Sequence, residues 1–263
     1  MRKIKILVAD SCAGGIAVLN NIKKQFKNPE FLFLADGEKN PFGLKSKNEI
    51  VSIVEDWVRF VKRNNYDILI VACNTASIAV NSEIERLKKT YKIRIITMID
   101  ALNNAIKQLR DEVKNRNVLV FGTKFTIESN VYMALLEKIE PAKIYNIVGT
   151  ESERLVARGL LRDILQIAKA KQEMSEHIDK NIDIIFLSCT CFEFVQEYLK
   201  ELYPKSKIIN LNEYLIRGYD NNLDYINIEY KATGALDIWR DNINAIAEIV
   251  FGERVEIDKI DIR

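Results

Sequence analysis

Two cysteines of the 263-residue chain occur in closely similar surroundings. Cys73 follows an apolar run over 68–72, Cys189 follows another over 184–188, and hydroxyl or amide side chains come next in both places. In open α/β sheets, ligands bind outside the carboxyl ends of the strands. A helix that starts there offers unpaired N–H groups that suit a carboxylate, and it lowers the pKa of a neighbouring thiol from about 8.5. The pattern predicts thiols at an anion-binding site that can form thiolates.

Two other interpretations of the cysteines remain open from the residues alone. A cysteine often serves as a small buried hydrophobe. Alternatively, four thiolates could hold zinc, with Cys12 and Cys191 joining Cys73 and Cys189. Only the pair at 189 and 191 is close in sequence, however, and no Cys-x-x-Cys knuckle occurs, so the pattern does not favour a metal site.

Several other chemistries lack their residues. The only histidine, His177, lies in a charged segment typical of a helix surface, which excludes histidine-dependent hydrolase triads. The glycine turn at 13–15 does not complete G-x-G-x-x-G, and no Walker-type G-K-[ST] is present. No lysine stands in a context that singles out a pyridoxal Schiff base, so the residues contain no motif for these cofactors.

Composition narrows the class of protein further. Hydrophobic residues make up 48% and charged residues 29%, which predicts a packed core, and the formal net charge of +2 gives no reason to expect nucleic-acid binding. We find no run long enough to cross a bilayer and no secretion signal at the start. A cytoplasmic protein with reduced thiols, without a membrane partner, is therefore expected.

Apolar runs of strand length alternate with helical patterns along the chain, which predicts a doubly wound α/β fold with parallel sheets. The predicted strands are 4–9, 31–35, 66–72, 94–98, 117–121, 143–148, 183–188, 207–210, 225–231 and 254–258. The longer predicted helices include 46–63, 75–89, 126–139, 151–180, 192–202 and 236–250.

The chain also contains a weak internal echo. The stretch 67–75 resembles 183–191: each has an Asp, branched apolar residues, a small residue and then a Cys. Asp10-Ser11 after the first strand similarly corresponds to Gly122-Thr123. The echo predicts two comparable α/β halves.

Five motifs together resemble those of glutamate racemases, which belong to the cofactor-independent aspartate/glutamate racemase superfamily. The motifs cover about the first 215 residues and stand in the family's order and spacing: Asp10-Ser11-x-x-Gly14-Gly15, Asn40-Pro41-Phe42-Gly43, Ala72-Cys73-Asn74-Thr75-Ala76, Gly122-Thr123-x-x-Thr126-x-x-Ser129-x-x-Tyr132 and Ser188-Cys189-Thr190. Five motifs in register are far more specific than any single one.

The resemblance implies two α/β domains related by pseudo-symmetry, with the active site in the cleft between them. The first domain would combine 1–97 with 212–263, and the second would span 98–211. It also implies a homodimer that interconverts L- and D-glutamate without a cofactor and supplies D-glutamate for peptidoglycan.

The resemblance further implies a two-base mechanism, in which one cysteine removes the Cα proton and the other delivers a proton to the opposite face. Cys73 and Cys189 would be these catalytic residues, with Asp10 beside Cys73. The implied substrate-binding residues are Ser11, Pro41, Phe42, Gly43, Asn74, Thr75, Thr123, Thr190 and Cys191.

Four positions depart from the family pattern. Cys191 replaces the usual His, Ala157 a Glu, Phe42 a Tyr and Cys12 a Gly. Glu151 or Glu153 could stand in for the missing Glu. These changes leave two alternatives open: a related enzyme acting on aspartate or another small acid, or a non-catalytic member that binds a protein partner.

Overall fold

Two parallel sheets form the framework of the protein, as seen in a computed structural model that describes residues 2–216 and 226–262. Strands in the described residues are β1 (Ile4–Asp10), β2 (Pro29–Ala35), β3 (Ile68–Val71), β4 (Arg94–Thr97), β5 (Asn117–Gly122), β6 (Lys143–Val148), β7 (Ile184–Ser188), β8 (Lys207–Asn210), β9 (Asn227–Ala232) and β10 (Ile257–Lys259). One sheet has the order β10-β9-β2-β1-β3-β4 and the other β6-β5-β7-β8. Together they confirm the predicted fold class, an α/β protein with two parallel sheets.

Helices connect most of these strands. They are α1 (Gly15–Ile22), α2 (Lys47–Arg63), α3 (Asn74–Val80), α4 (Ile84–Tyr91), α5 (Met98–Val113), α6 (Lys124–Glu128), α7 (Val131–Leu136), α8 (Thr150–Ala157), α9 (Ile164–Met174), α10 (Gln196–Leu202) and α11 (Leu236–Phe251). Short 3-10 helices include Phe42–Leu44 and Thr190–Val195. In the described part of the chain, no helix is both long enough and apolar enough to span a membrane.

The two sheets share one strand order. In the first, β2-β1-β3-β4 run side by side, and the second repeats this order as β6-β5-β7-β8. In each sheet the chain passes from the earlier strand, β1 or β5, to its neighbour on one side, β2 or β6. It later returns to the neighbour on the other side, β3 or β7. The point of reversal lies between β1 and β3 in one sheet and between β5 and β7 in the other, and this is where open α/β sheets bind ligands.

The weak internal repeat of the sequence has a structural counterpart at the N-terminal ends of β3 and β7. The Asp67 carboxylate accepts a hydrogen bond from the backbone N–H of Lys5 at 3.0 Å, which ties β3 to β1. The Asp183 carboxylate accepts one from the N–H of Asn117 at 2.8 Å, which ties β7 to β5. The repeated Asp therefore stabilises the pairing of two neighbouring strands, once in each sheet.

Burial on both faces explains the unbroken apolar runs of the central strands. In β1, Leu7 and Val8 are both fully buried, yet their side chains belong to different core clusters on opposite faces of the sheet. The four residues of β3 are likewise buried. These strands are rigid supports for the loops that follow them.

Three predicted helices are interrupted and one begins differently. Residues 75–89 form α3 and α4 with a turn between them, and 126–139 is broken at Asn130, whose φ of 57° is left-handed. The segment 151–180 is divided between α8 and α9, with Gly159 at φ 65° just after α8. A 3-10 helix replaces the start of the predicted helix 192–202. The predicted strand at 225 starts at Asn227, and Tyr225 lies outside the described residues.

Candidate active site

The loops after β1, β3, β5 and β7 meet in one buried region. Two hydrogen bonds join loops of different sheets: Thr190 Oγ1 donates to Asp10 Oδ2 at 3.1 Å, and Thr75 Oγ1 lies 3.0 Å from Thr123 Oγ1. All four side chains are at most 3% exposed. The strand-reversal points of the two sheets therefore face each other.

Asp10, the last residue of β1, is at the centre of this region and is fully buried. Its Oδ1 accepts hydrogen bonds from the Ser11 hydroxyl at 3.3 Å and from the Cys12 N–H at 3.1 Å, in addition to the Thr190 bond at Oδ2. Burial raises the pKa of Asp10 to about 6, although these hydrogen bonds favour the carboxylate. Asp10 can consequently change its protonation state near neutral pH.

Cys73 precedes α3 and is 6% exposed. Its Sγ lies 3.6 Å from the Ser11 hydroxyl, which also contacts Asp10. The expected lowering of the thiol pKa is wrong for this arrangement: burial raises the pKa of Cys73 well above its usual range, and the charge of Asp10 adds to the effect. The Ala76 N–H and Ser11 oppose this rise, but they do not outweigh it. Cys73 is a neutral thiol in this state, and a positive substrate group nearby would favour its thiolate.

Cys189 occupies the equivalent position after β7 and is partly exposed. Its charge contributes to the raised pKa values of both Cys73 and Tyr132, which places it in the same electrostatic environment. The structure thus brings the two predicted catalytic cysteines to one site, one from each sheet.

Cys12 and Cys191 form a second thiol pair in the same region. Their Sγ atoms are 3.5 Å apart, and Cys12 Sγ also donates to Asp10 Oδ1 at 3.6 Å. Hydrogen bonding to Cys12 and to Cys189, together with burial, raises the pKa of Cys191 well above its usual range. Cys191 is therefore a thiol that can donate a hydrogen bond to Cys189.

Gly14 allows the loops after β1 and β7 to approach this closely. A Cβ at position 14 would lie 2.6 Å from Thr190 Oγ1 and 3.0 Å from the backbone nitrogen of Cys191. Real Cβ atoms essentially never show the first distance, and the second is tighter than most of their contacts. The glycine is needed for the contact, not for an unusual backbone conformation, since its φ is −55°.

The segment containing Pro41, Phe42 and Gly43 lies at the edge of the site. Asn40 Nδ2 donates to the Ser11 carbonyl at 2.9 Å, which fixes the segment to the loop after β1. The Phe42 ring is buried and stacks on Trp57, with ring centroids 5.8 Å apart. A Cβ at Gly43 would lie 3.9 Å from Glu153 Oε2, so this backbone faces α8.

Tyr132 is a buried member of the site that is not among the substrate-binding residues implied by the resemblance, although it belongs to the motif after β5. Its hydroxyl donates to Asn74 Oδ1, and burial raises its pKa. Thr126 is equally buried and lies 3.0 Å from Thr123 through their hydroxyl groups. These contacts position Asn74 and Thr123 in the loops after β3 and β5.

Glu153 on α8 is one of the two acids expected to stand in for the missing Glu. Burial raises its pKa to about 7, and the charge of Asp10 adds to the effect. No described residue donates a hydrogen bond to its carboxylate. Glu151, in contrast, pairs with Arg154 at 2.8 Å and accepts a hydrogen bond from Gln166. Of the two acids considered at the sequence level, only Glu153 shares the environment of Asp10.

Ala157 lies one helical turn after Glu153, on the same face of α8. Its side chain is buried, and its carbonyl accepts a hydrogen bond from Asn242 Nδ2 at 2.9 Å. Within 2–216 and 226–262, no group of three or more His, Cys, Asp or Glu side chains has an arrangement that could hold a metal ion.

Comparison with known proteins agrees with this geometry. A glutamate racemase of Fusobacterium nucleatum is 30% identical over 199 residues, which cover 75% of this chain and 73% of that protein. The chain belongs to the glutamate racemase family. A glutamate racemase of Hydrogenobaculum sp. is 27% identical over 98% of this chain and 97% of its own length, although no family model matches the sequence.

Solved structures of family members share the fold over nearly the whole chain. The structure of glutamate racemase from Francisella tularensis in complex with D-glutamate matches with a TM-score of 0.79 at 20% identity, covering 98% of both chains. The curated relatives confirm the family resemblance stated from five motifs, and the solved structure agrees with it in fold.

Proposed function

We propose that this protein interconverts L- and D-glutamate by moving a proton at Cα between two cysteines, and that this supplies D-glutamate for peptidoglycan. The observation that carries the proposal is the convergence of Cys73 and Cys189 on one site from equivalent positions of the two sheets. Family membership supports glutamate as the substrate, since the relatives compared are glutamate racemases.

Inversion at Cα requires a proton to leave one face of the carbon and another to arrive on the opposite face. Cys73 and Cys189 serve as the base and the acid, and they exchange these roles when the substrate is the other enantiomer. Each must form a thiolate in turn. The ammonium group of the substrate supplies a positive charge that favours this, in a site where burial and the charge of Asp10 otherwise raise the pKa of Cys73.

Polar groups around the cysteines hold the substrate in position. The hydroxyl and amide side chains of Ser11, Asn74, Thr75, Thr123 and Thr190, with backbone groups near Pro41 and Gly43, bind the carboxylates. Asp10 and Glu153 face the ammonium group, and their negative charge offsets its desolvation. Oriented donors of this kind stabilise the charge that develops when Cα loses its proton.

The proposal includes three further expectations. The domains divide the chain into 1–97 with 212–263 and 98–211, so that the site lies in the cleft between them. The enzyme acts as a homodimer in the cytoplasm, and it needs no cofactor. Size-exclusion chromatography with light scattering tests the dimer, and activity after treatment with a chelator tests the independence from metal.

The direct test is exchange of the Cα proton in D₂O, followed by NMR and circular dichroism with L- and D-glutamate in separate reactions. Exchange with loss of optical activity is expected from both enantiomers. Exchange with aspartate alone would instead identify an enzyme for another acid, and the absence of exchange with every acid tested would favour a protein-binding role.

Substitution of each cysteine tests the mechanism. We expect Cys73→Ser and Cys189→Ser each to reduce racemisation by about 10³-fold or more, because each removes the acid or base on one face. Thermal unfolding of both variants should remain close to that of the parent protein. Full activity in either variant would contradict the two-cysteine mechanism.

A further inference from the structure

A series of side chains connects the two proposed catalytic cysteines through the protein: four hydrogen-bond contacts lead from Cys73 to Cys191, which in turn interacts with Cys189. In spatial order, the series is Cys73, Ser11, Asp10, Cys12, Cys191 and Cys189. The first four contacts measure 3.6, 3.3, 3.6 and 3.5 Å between their heavy atoms. Every group in the series can both donate and accept a proton.

A two-cysteine racemase needs a route by which one proton can pass between its two cysteines. After one conversion of L- to D-glutamate, the cysteine that began as the base carries a proton, and the opposite cysteine has lost one. Before the same conversion can occur again, a proton must return from the first cysteine to the second. The inner members of the series, Asp10, Cys12 and Cys191, are at most 3% exposed, so a proton that follows this route stays inside the protein.

We propose that Cys12 and Cys191 carry this returning proton within the protein. The inference rests on the proposed function, because it concerns the enzyme between two rounds of that reaction. Neither Cys12 nor Cys191 reacts with substrate in this scheme. They connect Asp10, on the side of Cys73, with Cys189.

The transfer balances as a series of proton shifts. Cys73 releases its thiol proton to Ser11 as the Ser11 hydroxyl proton passes to the Asp10 carboxylate. Asp10 passes a proton to Cys12, the Cys12 proton moves to Cys191, and the Cys191 proton moves to the Cys189 thiolate. One thiolate is lost at Cys189 and one is formed at Cys73, and no oxidant or other reactant is required.

The pKa values of Asp10 and Cys191 suit the transient transfer of a proton along the series. The pKa of Asp10 is raised to about 6 by burial, so that its carboxylate can hold a proton briefly at neutral pH. Burial and hydrogen bonding keep Cys191 a neutral thiol. A disulfide between Cys12 and Cys191 is disfavoured on the same grounds, because a thiolate is the species that starts thiol oxidation.

The test compares Cys12→Ser with Cys12→Ala. Serine keeps a group that donates and accepts protons, whereas alanine removes it at similar size. Racemisation progress curves in both directions, recorded up to very high glutamate concentration, give the rate at which the two free forms of the enzyme interconvert. Interconversion of the free forms limits turnover only at high substrate concentration. The value of kcat/KM, measured at low concentration, therefore does not include this interconversion and serves as an internal reference for each variant.

We expect Cys12→Ala to slow the interconversion of the free forms by about tenfold or more relative to kcat/KM, and Cys12→Ser to retain most of it. Cys12→Gly provides a second variant without the thiol, in case alanine disturbs folding. Equal interconversion rates in the parent protein and in the serine, alanine and glycine variants would overturn the proposal. A parent protein that does not racemise glutamate would instead refute the proposed function, and this inference with it.

Discussion

Glu153 shows how a single buried charge can control the pH range of the site. Its pKa is raised to about 7, and it has no hydrogen-bond donor among the described residues. A substrate ammonium group near it would find a full negative charge only above that pH. We expect kcat/KM of the parent protein to fall as the pH drops below about 7.

Glu153→Gln should lower kcat/KM by about tenfold at pH 8, because it removes a charge that faces the ammonium group, and it should abolish the pH dependence near 7. Initial rates from pH 5.5 to 9 measure both effects. Glu151→Gln is the matched control on the same helix, since Glu151 pairs with Arg154 away from Asp10. A pH profile that is identical in Glu153→Gln and the parent protein would show that Glu153 does not face the substrate.

Cys12 and Cys191 also depend on each other for space. They stand at two of the four positions that depart from the family pattern, where Gly and His are expected, and their Sγ atoms lie 3.5 Å apart. Cys191 is fully buried and lies next to Gly14. A histidine at 191 therefore requires the smaller residue at 12.

We expect Cys191→His alone to lower both stability and racemisation, because the ring would overlap Cys12. The double variant Cys12→Gly with Cys191→His should recover stability by about 1–3 kcal/mol relative to Cys191→His, the usual cost of overpacking a core. Urea unfolding and initial rates of the four proteins form the double-mutant cycle. Additive effects would mean that the two side chains do not share this space.

The contact between the loop before α1 and the loop after β7 depends on Gly14. We expect Gly14→Ala to destabilise the protein by about 1–3 kcal/mol and to reduce racemisation, since its Cβ would force Thr190 and the Cys191 backbone away from Asp10. Gly43→Ala is the matched control, because its Cβ would meet nothing closer than 3.9 Å. Thermal unfolding of the two variants is the measurement, and equal stability would contradict the steric argument.

Sequence pattern predicted the strands better than the helices, for physical reasons that differ from place to place. Buried strands such as β3 appear as unbroken apolar runs, so their existence was predictable. The end of α6 was not predictable. The Ser129 hydroxyl donates a hydrogen bond to the Thr126 carbonyl, and Asn130 takes a left-handed backbone conformation that most residues other than glycine avoid. Such turns depend on side-chain hydrogen bonds that periodicity does not reveal.

The candidate site was predictable where a residue follows a strand, and hidden where it comes from a helix. Cys73, Thr123 and Cys189 could be identified from their positions after apolar runs. Glu153 is one of two acidic residues in the first turn of α8, and its approach to Gly43 and to the charge of Asp10 distinguishes it from Glu151. The pKa of Cys73 was predicted in the wrong direction because sequence pattern does not give the depth of burial.

Burial of acids in the site should be visible in the stability of the whole molecule. In the folded protein the pKa values of Asp10 and Glu153 are about 6 and 7, against ordinary values of 3.8 and 4.5. Between these limits the folded state holds more protons than the unfolded state, so the free energy of unfolding decreases as the pH rises. These two groups stabilise the fold fully below about pH 4 and lose that contribution as the pH passes 6 and 7.

The contribution of Glu153 is testable by substitution. Glu153→Gln should be more stable than the parent protein at pH 8, by on the order of 2 kcal/mol, and the gain should disappear near pH 4. Urea unfolding at the two pH values measures the difference. A stability gap that is the same at both would assign the effect to packing and not to charge.

The two sheets share one strand order, and the two enantiomers that the site is proposed to interconvert likewise share one free energy. Enantiomers have equal free energies in water, so the equilibrium constant of a racemisation is one, and kcat/KM must then be identical in the two directions. Matched backbones at β3 and β7 suit such a reaction, but the side chains beside them differ, with Ser11 near Cys73 and Cys191 near Cys189. That inequality can make kcat and KM differ between the two enantiomers only in the same proportion, so the enantiomer with the lower KM must also have the lower kcat.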